Sequence, residues 1–254
     1  MNFQTEGKLI PKYFSKETLK QLHYHALAPV FPDNNAKAEI VKMILGPEFE
    51  ELGLGTNRMA FLYNGMVVSV ALDRRGYIDN FQEFKRSVEA PEYFIKAYET
   101  NMLILIEEYV TLMDEQEFRM NEAGIKQILE ELSKAYLFED IGFTTKNYEN
   151  WGYRSNGDIV CLDLGYIYPL KGQEHILSCP HCRASLKYDS SYTRFICQNK
   201  QCNKNYTTED ILSKRDTTQM DLENQTILQL HDVKAPNLGN FSREFYQKYI
   251  GVFE

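Results

Sequence analysis

Residues 61–72 have the sequence FLYNGMVVSVAL, in which two apolar runs flank Asn64-Gly65. Asn-Gly between apolar runs is the strongest short-range signal for a β-hairpin with a two-residue loop. The stretch therefore predicts two antiparallel strands, residues 61–63 and 66–72.

Helical periodicity is present on both sides of this hairpin. Residues 36–45 predict one helix within a polar N-terminal region. Residues 79–98 predict a charged helix whose apolar face comprises Phe81, Phe84 and Val88, with Pro91 ending or interrupting it. Residues 121–138 give the clearest pattern, with apolar residues spaced by three and four up to Tyr136. Residues 102–106 and 158–162 predict short buried strands, so the expected class is α+β.

Polar and glycine residues recur at intervals along this series of elements. Gly53 and Gly55 open the hairpin, and missing side chains at such a turn let backbone N–H groups approach a phosphate. Glu83 lies on the helix after the hairpin. Asn150 begins an Asn-Trp-Gly triplet, and Asp163 follows a short apolar strand and begins Asp-Leu-Gly.

This order of strands, helices and polar motifs resembles that of the protein-kinase-like superfamily, and specifically that of the short, divergent kinase-like proteins of bacteriophages. The resemblance covers residues ~50 to 170. It implies a two-lobe fold with an antiparallel N-lobe sheet and a reduced helical C-lobe. It also implies that Gly53, Gly55, Glu83, Asn150 and Asp163 are the nucleotide-binding residues, with ATP and Mg²⁺ as possible ligands.

Two departures from the kinase pattern predict a pseudoenzyme. The strand lysine that holds the α- and β-phosphates is replaced by Ser69 or Asp73, depending on the alignment. The catalytic base falls on Thr145 if Asn150 ends the catalytic loop, and threonine is no base at neutral pH. An active enzyme would need Asp140 as the base in a longer loop, with Asp163 binding Mg²⁺.

Four of the five cysteines form a C-x2-C…C-x4-C pattern, namely Cys179, Cys182, Cys197 and Cys202. Two tight turns that each present two thiolates suit tetrahedral Zn²⁺. The alternating residues between the two pairs predict the strands of a zinc ribbon, in which zinc supplies the folding free energy. Cys161 is expected to be a small core residue.

Charge limits the possible partners. The 254 residues carry 28 Lys and Arg against 36 Asp and Glu, a net charge of −8, which argues against a chain that coats nucleic acid with its whole surface. Residues 179–205 carry five Lys and Arg against one Asp, a formal +4, so local nucleic-acid contact through the ribbon stays possible. No apolar run is long enough to span a membrane, and no secretory signal is visible, so we expect a cytoplasmic protein, in an infected bacterial host if phage-encoded.

The sequence thus predicts five segments: an N-terminal helical extension (1–48), a kinase-like N-lobe (49–110), a C-lobe (111–175), a zinc ribbon (176–210) and a tail packing on the C-lobe (211–254). The leading functional hypothesis is a kinase-fold pseudoenzyme that binds a protein partner or acts as a regulatory module. The alternatives are a divergent Mg²⁺-ATP-dependent phosphotransferase and a nucleic-acid or RNA-polymerase-associated factor.

Overall fold

The computed structural model describes residues 8–27, 33–138, 147–164, 167–170, 174–190 and 194–214. The helices are α1 (Leu9–Tyr13), α2 (Lys16–Leu27), α3 (Asn34–Leu45), α4 (Arg74–Glu89), α5 (Glu115–Met120), α6 (Glu122–Leu132) and α7 (Thr208–Leu212). The strands are β1 (Glu50–Leu54), β2 (Arg58–Tyr63), β3 (Met66–Ala71), β4 (Ala97–Thr100), β5 (Ile104–Glu108), β6 (Thr111–Leu112), β7 (Tyr136–Phe138), β8 (Trp151–Tyr153), β9 (Ile159–Cys161), β10 (Ile167–Pro169), β11 (Leu186–Asp189), β12 (Arg194–Cys197) and β13 (Asn205–Thr207). The α+β class is confirmed.

The main sheet is antiparallel, and its strands follow the order β1-β2-β3-β5-β4. The predicted hairpin between β2 and β3 is confirmed, with Tyr63 paired to Met66. Asn64 and Gly65 adopt φ angles of 51° and 74°, the left-handed values that a two-residue hairpin loop needs.

The chain divides into two compact units. Of the described residues, unit 1 contains those up to Lys85 together with Ala97–Tyr109, and unit 2 contains Arg86–Lys96 and those from Val110 to Lys214. The predicted C-terminal tail lies, after Lys214, outside the described residues. The helices before residue 48 therefore share a unit with the main sheet, and the ribbon shares a unit with α5 and α6. None of the helices in the described ranges has both the length and the apolar character needed to cross a bilayer.

Apolar side chains of α1 to α3 pack with the main sheet in the core of unit 1. This core includes Leu22, Val41 and Leu45 from the helices, together with Phe61 and Val68 from the sheet. Successive side chains of a strand point to opposite faces of the sheet, so one face can bury its side chains under these helices.

Helix α4 differs from its predicted limits and orientation. It begins at Arg74, where the Asp73 carboxylate accepts a hydrogen bond from the backbone N–H of Gly76 (2.8 Å). Of the predicted apolar face, Val88 is 41% exposed, whereas the polar residues Asn80 and Glu83 are almost fully buried. Phe81 packs against the core of unit 1, to which Tyr77 also belongs, so the predicted face fails at Val88. An ion pair with Arg58 holds Glu83 inward, and hydrogen bonds to backbone carbonyls hold Asn80.

The predicted helix over 121–138 is also shorter than expected. Helix α6 ends at Leu132, and Tyr136–Phe138 forms β7, which pairs with β10. Tyr136 fits the helical spacing but does not lie in the helix. Pairing with β10, about 30 residues later in the chain, fixes the extended conformation of Tyr136–Phe138.

Candidate functional site

The four predicted zinc ligands lie together in unit 2. Their sulfur atoms are all within 4.8 Å of one another. The Sγ atoms of Cys182 and Cys197 are 3.4 Å apart, and those of Cys179 and Cys202 are 3.7 Å apart. Four sulfurs around one Zn²⁺ at about 2.3 Å would be separated by about 3.8 Å. The cluster is therefore compatible with a structural zinc site.

Two tight turns present the cysteines. In the first, the N–H of Arg183 donates to the carbonyl of Cys179 (2.8 Å), and in the second, the N–H of Cys202 donates to the carbonyl of Asn199 (2.9 Å). Arg183 and Asn203 each follow a cysteine with positive φ, at 60° and 43°. These left-handed residues turn the chain back so that both sulfurs of a pair point the same way.

The electrostatics of the four thiols favour a bound cation. Burial opposes ionisation of Cys179, but hydrogen bonds from the Tyr206 hydroxyl and the backbone of Cys182 and His181 lower its pKa to about 6. Burial and the neighbouring thiols raise the pKa of Cys202 to about 12. Four thiolates this close repel one another, and a divalent metal removes that repulsion.

The ribbon extends into the core of unit 2. Strands β11 and β12 form the predicted hairpin, and a third strand, β13, pairs with β12. The ring of Tyr188 contacts Phe138 edge-on (5.1 Å between centroids), and the Ser190 hydroxyl donates to a carboxylate oxygen of Glu130 (3.0 Å). The sequence analysis missed β13, although alternation around Tyr206 was a signal for it. As expected, Cys161 is a buried core residue apart from the cluster.

The predicted glycine turn lies in unit 1, with Gly53 near the end of β1 and Gly55 between β1 and β2. Gly53 follows an irregularity in the pairing of β1, and the N–H of Gly55 donates to the carbonyl of Arg58 (2.9 Å). A hydrogen bond joins the end of the turn to the residue after β3: the carbonyl of Asn57 accepts from the N–H of Leu72 (2.9 Å).

Glu83 is paired with a cation that the sequence analysis did not single out. Arg58 donates from Nη2 to Oε1 of Glu83 (2.8 Å) and from Nη1 to Oε2. Burial disfavours the charged guanidinium, but the carboxylates of Glu83, Glu107 and Asp79 together outweigh burial, so the pKa of Arg58 is raised. The available signal was the position of Arg58, three residues after Gly55.

A second ion pair lies beside this one. The carboxylate of Asp79 is 2.9 Å from Nε of Arg75 and accepts a hydrogen bond from the amide of Asn57 (3.0 Å). Burial raises the pKa of Asp79, and Arg75 and Asn57 oppose that rise. Helix α4 is thereby linked to the residue that precedes Arg58.

Asn150 and Asp163 belong to unit 2. Asn150 ends a 3₁₀ turn, and its carbonyl accepts a hydrogen bond from the N–H of Leu162 (2.9 Å), the residue before Asp163. Asp163 is half-buried. The possible base Asp140 lies outside the described residues. Gly53, Gly55 and Glu83 belong to unit 1.

Comparisons with known proteins give little guidance. No family model matches the chain, and no curated protein matches it. Among solved structures, the complex of Rv3197 from Mycobacterium tuberculosis with erythromycin matches with a TM-score of 0.36 and 10% identity. The match covers 66% of this chain and 61% of that one, so the chain spans less than two thirds of that protein. A likeness at this level carries no argument about function.

Proposed function

We propose that this protein is a kinase-fold pseudoenzyme in which a zinc ribbon is built into the second unit, and that it acts as a protein-binding or regulatory module. The observation that carries the proposal is the strand order β1-β2-β3-β5-β4, with α4 between β3 and β4 and its Glu83 paired to a cation. This arrangement supports a kinase-like small lobe. A bacteriophage origin and the bacterial cytoplasm stay predictions from the sequence.

The two positions considered for the kinase lysine have other roles in the fold. The Asp73 carboxylate caps the first turn of α4 and accepts a hydrogen bond from the amide of Asn34 (3.0 Å). Ser69 is a buried residue in the middle of the sheet. Neither side chain is a cation, which supports a protein without phosphotransfer activity.

The packing of the ribbon supports a structural role for zinc. Tyr188 and Phe195 belong to the same apolar core as α6 and β7. Loss of the metal would therefore disturb unit 2 beyond the ribbon itself. Exposed apolar side chains in this unit, Leu112 at 59% and Met120 at 70%, support a surface for a protein partner.

A divergent phosphotransferase is the second candidate. The hydrogen bond between Leu162 and Asn150 supports it, because it brings the backbone of Asn150 next to the residue that precedes Asp163. Asparagine and aspartate are the metal-binding pair of kinases.

The test is an assay of zinc-loaded protein with radiolabelled ATP and Mg²⁺, run beside Asp163→Ala. A pseudoenzyme gives no phosphate release or transfer in either protein. Turnover that disappears in Asp163→Ala would instead establish the phosphotransferase. Asp158→Ala, which changes an exposed carboxylate of the same unit, is the matched control.

A further inference from the structure

The cation that faces Glu83 comes from β2, whereas the kinase pattern has a lysine on β3. Arg58 is paired across the sheet with Ala71, which lies midway between the two candidate lysine positions, Ser69 and Asp73. Its guanidinium binds both carboxylate oxygens of Glu83. The end of β3 therefore has a positive charge beside it, although β3 itself has none.

The turn before Arg58 leaves space beside the backbone. A Cβ atom added at Gly53 would meet no atom within 4 Å, and one at Gly55 would meet only the carbonyl oxygen of Arg58, at 3.5 Å. An anion can approach the main chain closely at such glycines. The sequence from Gly53 to Arg58 thus combines an open turn with a cation at its end.

Arg58 retains hydrogen-bonding capacity while it is held by Glu83. Its contacts in the described residues use the two terminal nitrogens, toward Glu83 and more weakly toward Asn80 (3.4 Å), so Nε has no protein acceptor there. The side chain of Arg58 is 22% exposed, and that of Glu83 is 3% exposed. A guanidinium has five N–H donors, so it can bind a carboxylate on one edge and a phosphate on another.

We propose that Arg58 is the phosphate-binding cation of unit 1, and that its ligand is the polyphosphate chain of a nucleotide. Glu83 orients the guanidinium, and the glycine turn admits the phosphates. Arg58 and the open turn suit a phosphate group, and the choice of a nucleotide as its source rests on the proposed kinase-like fold. Binding without turnover would make the nucleotide a regulatory ligand of the pseudoenzyme.

Calorimetric titration of the zinc-loaded full chain tests this proposal, with Mg²⁺-ATP in one series and inorganic tripolyphosphate in another. Arg58→Gln alone would leave Glu83 buried without its cation, so the double variant Arg58→Gln/Glu83→Gln is used. We expect it to bind ATP about 10- to 100-fold more weakly, the effect of losing a charge-assisted hydrogen bond. Glu83→Gln keeps the cation but loses the carboxylate that orients it, so it should bind ATP more weakly than the wild type and more tightly than the double variant. Arg74→Gln, which removes an exposed arginine from the same unit, should bind like the wild type.

Each alternative outcome has a distinct meaning. Wild-type protein that binds no ATP at millimolar concentration overturns the role of Arg58 and leaves the pseudoenzyme proposal intact. Equal binding by the wild type and the double variant also overturns it. Tripolyphosphate that binds as tightly as ATP, with the same dependence on Arg58, supports the cation and overturns the nucleotide as its ligand. ATP turnover that depends on Arg58 overturns the pseudoenzyme but supports the binding role.

Discussion

Protonation of His25 should destabilise unit 1 in mild acid. His25 lies on α2, is 1% exposed, and has its pKa lowered from 6.5 to about 4, first by burial and then by the charge of Lys37. Lys37 is itself buried and donates to the carbonyls of Ala26 (3.3 Å) and Leu72 (2.8 Å), which keeps its charge near His25.

The sign and size of the effect follow from proton linkage. Between pH 4 and 6.5 the unfolded chain binds a proton at His25 that the folded chain does not, so stability rises with pH across this window. The contribution is complete above pH 6.5 and is lost as the pH falls toward 4. Relative to neutral pH, the gap between the two pKa values lowers the free energy of unfolding by about 2 kcal/mol at pH 5 and by about 3 kcal/mol at pH 4.

Urea unfolding at pH 7 and pH 5, in excess zinc, measures this loss. Far-UV circular dichroism follows the helices, and fluorescence of Trp151, the single tryptophan, follows unit 2 separately. His25→Phe should lose about 2 kcal/mol less than the wild type over this interval. His181→Gln, which removes an exposed histidine, should lose as much as the wild type.

Equal losses in the wild type and His25→Phe would show that protonation of His25 does not cause the loss of stability. If His25→Phe does not fold, an NMR titration of the His25 ring in the wild type measures its pKa directly. A midpoint near pH 4 is expected, and one near 6.5 would contradict the stated effect of burial.

Three further predictions concern the metal site and one close contact. Cys182→Ser should reduce the zinc content measured by mass spectrometry and shift the fluorescence of Trp151 to the red, because the ribbon forms part of the unit 2 core. Unchanged zinc content would contradict the metal assignment. Tyr206→Phe removes a hydrogen bond to a cluster sulfur (3.2 Å) and should weaken zinc affinity about 10-fold in a chelator competition. Gly76→Ala would place a Cβ atom 2.3 Å from a backbone carbonyl oxygen and should lower unfolding free energy by about 2 kcal/mol, whereas Gly53→Ala meets no such contact.

Local signals explain what the sequence analysis predicted correctly. Asn64-Gly65 defines its hairpin because two adjacent residues that tolerate positive φ are rare and specific. The cysteine spacing indicated the cluster because two short turns suffice to bring each pair of sulfurs together. Neither inference needed knowledge of distant residues.

Longer-range contacts explain the errors. The apolar residues of α4 suggested that Val88 faces a core, but the helix turns Asn80 and Glu83 inward because Arg58 compensates the buried carboxylate. Tyr136 fitted a helical period, yet its strand pairing with Pro169 prevails.

The hairpin, the α+β class and the four cysteines of the cluster could be predicted from the sequence, since each depends on neighbouring residues and their intrinsic backbone preferences. Which cation accompanies Glu83, and how far the ribbon enters the core of unit 2, could be seen only in the folded structure. The pairing of Arg58 with Glu83 joins residues 25 positions apart, and the contact of Ser190 with Glu130 joins residues 60 positions apart. Such contacts depend on how the elements pack, and no local pattern of residues specifies them.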